Sequence, residues 1–101
     1  PIYIIILVSK QNRGFPMNEL YKLIEEKIKA AGYPGKIDGR EFYNEVSDEA
    51  DEKENGDYIF LVKKTETLMY KGHMTIIDDQ FDLHYVEIME GDQTYHVDFD
   101  V

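Results

Sequence analysis

His84, His96 and Asp98 are the residues of this sequence best suited to holding a metal ion. They fall in two apolar-rich segments, Phe81–Met89 and Thr94–Val101, on either side of Glu90-Gly91-Asp92. Alternation on both sides of a turn of this composition predicts a β-hairpin. A three-residue loop pairs Met89 with Gln93. That register gathers Leu83, Tyr85, Tyr95, Val97, Phe99 and Val101 on one face. Asp82, His84, His96, Asp98 and Asp100 share the other, with His84 opposite Asp98. Imidazole and carboxylate on adjacent strands form a donor set for a divalent ion. The same spacing also suits a solvated polar face with His–Asp pairs. We therefore expect no cofactor and no metal, and keep His84, His96 and Asp98 as the alternative. His73 lies outside the hairpin and is expected to be structural or exposed.

A second chemical feature is a run of acids. Asp38 to Asp57 holds nine Asp and Glu in 20 residues, against Arg40 and Lys53. On a helix, Glu41, Glu45, Asp48, Glu49 and Glu52 recur at three- and four-residue spacing and form one ridge. Like charges at that spacing cost about a few tenths of a kcal/mol per pair. Such a ridge is either an ordinary solvated face or a binding surface for a positively charged protein. Small acidic α+β proteins include inhibitors that imitate DNA phosphates and immunity proteins that plug nuclease sites. That likeness is one of composition and class.

The N-terminus offers a third chemistry. Pro1, if it is the native first residue, carries a secondary amine beside an apolar strand. Pro1-Ile2 with Ile4 and Ile6, then a loop and a helix, resembles the opening of the tautomerase superfamily. The resemblance implies a general base at Pro1 and proton transfer next to a carbonyl, with Arg13 binding an acidic substrate. It covers the first third of the chain. The second half departs from it, because no βαβ repeat follows and the acidic segment has no counterpart. Other catalytic patterns are missing from the sequence: there is no Gly-rich phosphate loop, nucleophile elbow or His-Glu-x-x-His.

These residues need elements to position them. Ile2 to Val8 is seven apolar residues in a row, most of them β-branched, and predicts a strand buried on both faces. Lys10 to Gly14 is a polar loop. Pro16 suits a first helical position, and Leu20, Leu23, Ile24, Ile28 and Ala31 form one apolar stripe ending at Gly32. Asp38 followed by Glu41 resembles a capping box, and Phe42, Val46 and Ala50 recur every four residues, which favours a second helix over a strand. Asp57 to Lys63 predicts a second buried strand, with Ile59 and Leu61 joining Ile4, Ile6, Leu20, Ile24 and Ile28 in the core. Thr67 to Ile77 predicts a third, interrupted near Lys71-Gly72.

The order is β-α-α-β-β-β-β. It predicts a single α+β domain over residues 1–101: a two-layer sandwich with a mixed, mostly antiparallel five-stranded sheet and two helices on one face. The opposite sheet face is expected to be partly open to solvent or to a partner.

Composition narrows function further. The 101 residues carry a net charge of −10 and no Cys, which excludes disulfides and thiolate chemistry. Charge is uneven: residues 1–37 hold six Lys and Arg against three acids, and residues 38–101 hold five against eighteen. Phosphate backbones and anionic membranes repel such a chain, so we expect no direct nucleic-acid binding and no membrane partner. Without a visible leader the expected location is cytoplasmic. The function expected is a non-enzymatic, acidic protein-binding module, most concretely an inhibitor or immunity-type protein on a basic partner. A Pro1-dependent enzyme and an assembly protein dimerising through its open sheet face are the alternatives.

Overall fold

The computed structural model describes residues 17–51, 53–78 and 80–99. The expected opening strand lies outside the described residues, and so do Pro1, Arg13 and the side chain of Glu52.

Helix α1 spans Met17–Ala30. Its stripe of Leu20, Ile24 and Ile28 is buried, as the spacing requires. Gly32 closes it, its N–H donating to the Lys29 carbonyl at 3.0 Å. Helix α2 spans Gly39–Ala50. Asp38 is its N-cap, in extended backbone, with Oδ1 accepting from the Glu41 N–H at 3.0 Å. Phe42 and Val46 face inward as expected, and Tyr43 joins them. The Gly39 N–H donates to Glu25 Oε2 at 2.8 Å, which ties the start of α2 to α1.

Four strands follow: β1 Gly56–Lys63, β2 Leu68–Ile77, β3 Gln80–Glu90 and β4 Gln93–Asp98. Their order in the sheet is β1-β2-β3-β4, and every pairing is antiparallel. The fold is thus α+β, with two helices and, among the described residues, a four-stranded antiparallel sheet. A fifth strand and a mixed sheet were expected; the parallel pairing needs residues outside those described.

Three local expectations are corrected. The hairpin loop is two residues, Gly91-Asp92, so Met89 pairs with Thr94 rather than Gln93. Gly91 takes φ 59°, the left-handed value that suits the first position of a two-residue hairpin turn. Strand β2 is not broken at Lys71-Gly72. Gly72 is there because a Cβ would lie 2.4 Å from Phe60 Cζ and 2.9 Å from the Tyr85 carbonyl oxygen. The irregularity falls one residue later, where His73 pairs with Tyr85 and Met74 with Leu83. His84 is the extra residue of a β-bulge.

That bulge resets the alternation of β3. Phe81 and Leu83 point inward before it, and Val86 and Ile88 after it. His84 and Tyr85 therefore fall together on the outer side. The inner face meets α2 through aromatic contacts: Phe42 against Tyr70 and Phe99, and Tyr43 against Phe81. Among the described residues strand β1 is an edge strand of the sheet, and it buries only its inner side. Phe60 is in the core, while Ile59 and Leu61 are 59% and 55% exposed, contrary to the double-sided burial that their apolar run suggests.

Candidate functional site

The outer face of the sheet brings together a cluster that no local segment contains. Asp57 on β1 pairs directly with Thr75 on β2, and His73 lies two residues away on the same face. The bulge adds His84 from β3. The Thr75 hydroxyl donates to Asp57 Oδ1 at 2.5 Å. Its oxygen lies 2.7 Å from His84 Nε2. One hydroxyl proton cannot serve both neighbours, so Thr75 accepts from His84 Nε2–H. His73 Nε2 lies 3.5 Å from the same Asp57 oxygen, and the two imidazoles are 4.6 Å apart, centroid to centroid. The Thr75 hydrogen bond, with His73 and His84 nearby, holds the Asp57 carboxyl below its ordinary pKa. One ligand atom each from Asp57, His73 and His84 lies within 4.8 Å of the others, and among the described residues this is the one such His/Asp/Glu group.

The alternative metal set of His84, His96 and Asp98 is not the group that the described residues assemble. With the hairpin register shifted by one, His84 does not face Asp98; Tyr85 does. His96 pairs with Glu87 across β3 and β4, its Nδ1 3.7 Å from the carboxylate, and stacks on Tyr85. His84 thus leaves His96 and Asp98 and joins His73 and Asp57. His73 was set apart as structural or exposed, and Asp57 counted only as one acid in a run. The available signal was the parity of β2, which puts His73 and Thr75 on one face. The long-range pairing to Asp57 has no local signature.

The acidic helix is the second candidate surface, and its members divide. Lys64, from the β1–β2 connection, reaches Glu41 at 2.6 Å and Glu45 at 2.5 Å. Burial pulls the Lys64 ammonium down, but its hydrogen bonds to Glu41 and Glu45 outweigh this and leave its pKa raised. Asp48 and Asp51 are exposed, and Glu49 is half-buried. The last turn of α2 carries no basic residue. Lys53, just beyond it, donates to the Glu49 carbonyl at 2.5 Å.

A groove of about 460 Å³ lies where α1 runs toward α2, lined by Glu25, Ile28, Lys29, Tyr33, Lys36 and Ile37, among others. Glu25 is engaged by the Gly39 N–H, and the Tyr33 hydroxyl donates to Glu90 at 2.8 Å. Among the described residues no helix is long and apolar enough to cross a membrane.

Comparison of the chain with family models, with curated proteins and with solved structures found no match. The tautomerase resemblance therefore rests on Pro1, Ile2, Ile4 and Ile6 with the loop and helix after them.

Proposed function

We propose that this chain is a protein-binding module that docks a basic protein surface, as an inhibitor or immunity-type protein does, at the C-terminal end of α2. The observation that carries this reading is the placement of Asp48, Glu49 and Asp51 at the negative end of the helix dipole. Acids there cost stability, of the order of 0.3–1 kcal/mol each at exposed positions. A surface shaped for stability alone would place Lys or Arg in that turn. Glu41 and Glu45 contribute less, because Lys64 bridges them and cancels one of their two charges. Glu52 extends the run in sequence.

The test is binding of basic proteins to the immobilised chain, wild type against Asp48→Lys/Asp51→Lys, at low and at physiological salt. The proposal expects a saturable basic partner that the double reversal releases at both salts. A partner bound equally well by both forms contradicts it.

A second reading, self-association through the outer sheet face, is favoured by one observation. Ile59 and Leu61 on β1, with Ile77 on β2, are large apolar residues more than half exposed. Sedimentation of wild type against Leu61→Glu separates the two readings.

A further inference from the structure

We propose that Asp57, His73 and His84 form a binding site for a borderline divalent cation, with zinc as its best fit, on the outer face of the sheet. The site is independent of the acidic helix end. Three strands each supply one ligand: Asp57 from β1, His73 from β2 and His84 from β3.

Tetrahedral zinc holds nitrogen and oxygen donors at about 2.0–2.2 Å, which sets them roughly 3.3–3.6 Å from one another. His73 Nε2 and Asp57 Oδ1 are already 3.5 Å apart. The third donor lies within 4.8 Å of both, so ring rotation closes the set. The bulge supplies the remaining condition. Without the extra residue, β3 could not turn His84 outward and still bury both Leu83 and Val86. Bulges of this kind re-aim a side chain at functional positions.

Thr75 has the place of a supporting group. Its hydroxyl donates to Asp57 and fixes the carboxylate in front of the two rings. A cation at His84 Nε2 needs that nitrogen unprotonated, so the ring carries its proton on Nδ1 instead, and the Thr75–Asp57 hydrogen bond is kept. Two imidazoles and one carboxylate favour zinc, cobalt, nickel or copper over magnesium and calcium, which take all-oxygen sets. Three protein ligands also leave one coordination position, for water or for a donor brought by a bound protein. The half-exposed Ile59, paired with His73 across β1 and β2, gives that position an apolar margin.

The experiment uses the whole chain stripped of metal, with zinc chloride as the probe and magnesium chloride as the control. The chain has three histidines, so their ring nitrogens can be followed individually by NMR. Zinc is expected to bind one ion per chain and to shift the His73 and His84 ring nitrogens, with those of His96 staying in place. Magnesium at the same concentration should shift none of them. By calorimetry, His84→Ala and Asp57→Asn should each lower zinc affinity at least a hundredfold. Thr75→Val should lower it about 10–100-fold, the range for a supporting partner. His96→Ala should leave it unchanged. Absence of zinc binding to the wild-type chain overturns the proposal. So does zinc that moves His96 and not His73 and His84, or zinc affinity that survives His84→Ala. Should the variants fail to fold, the wild-type ring shifts alone decide.

Discussion

The two halves of α2 carry the same kind of residue and treat it in opposite ways. In the first half, Glu41 and Glu45 close on one ammonium, Lys64, and lie near the favourable end of the helix dipole. In the second half, Asp48 and Glu49 sit at the unfavourable end with no basic residue in the turn. Both halves share one inner stripe, Phe42 and Val46, so packing does not separate them. The difference teaches that a count of acids is not a surface charge. Nine acids between Asp38 and Asp57 look like one field, but the fold ties Glu41 and Glu45 to Lys64 and leaves Asp48 and Asp51 exposed at the far end of the helix.

The largest effect concerns what the halves share. Phe42→Ala removes a ring packed against Tyr70 and Phe99, and should cost about 3–5 kcal/mol in urea unfolding. Asp48→Ala, one face away, should stay within about 0.5 kcal/mol. Next comes the structural group. Lys64→Met leaves Glu41 and Glu45 facing each other, with the side chain of Glu45 only 25% exposed, and should destabilise by about 1 kcal/mol. The matching change at Lys53, whose contact is to a backbone carbonyl, should cost less.

The third is a pH effect. Burial first, and then the hydrogen bond to Glu90, push the Tyr33 hydroxyl up to about 12. In the unfolded chain it ionises near 10. Between these values the native state holds a proton that the unfolded state has lost, so stability falls as pH rises. The Tyr33 contribution is complete below about pH 10. A Tyr33→Phe variant should show a shallower loss of melting temperature over the interval from 10 to 12. The raised Lys64 acts with the same sign, so Lys64→Met should flatten the curve as well. The smallest effect is on the second half of α2. Asp48→Lys/Asp51→Lys should leave the melting temperature unchanged or raise it, by about a few tenths of a kcal/mol in stability, because it relieves like-charge repulsion and complements the dipole.

The helices were legible because their signals are local. Asp38 capping Glu41, and apolar residues every three or four positions within each segment, identify α1 and the start of α2. The sequence carries α2 on to a frayed end at Asp51 to Glu54, whereas the helix stops at Ala50. The strands after α2 were legible as strands, and so were the faces of β4, where Val97 turns inward and His96 and Asp98 outward; the faces of β1, and of β3 beyond His84, were not. Strand β1 reads as an unbroken apolar run, and a run without alternation does not say that one side is open to solvent. The hairpin register was missed by one residue because Glu90-Gly91-Asp92 suits a three-residue loop as well as Gly91-Asp92 suits a two-residue one. The bulge at His84 then reverses parity inside β3, so no single alternation describes that strand. For the same reason the set read from sequence shares only His84 with the cluster that the fold assembles. Asp57, His73 and His84 meet only through pairings across three strands.

The proposed docking surface is tested most directly by association kinetics. The measurement is the stopped-flow on-rate of a basic partner with wild type and with Asp48→Lys/Asp51→Lys, over a series of salt concentrations. Steering by unspent acids predicts a wild-type on-rate that falls steeply as the screening length shortens to about 8 Å near physiological salt. It predicts a variant on-rate that is lower throughout and nearly flat in salt, with the fold intact. Equal on-rates and equal salt slopes for the two proteins would contradict the account.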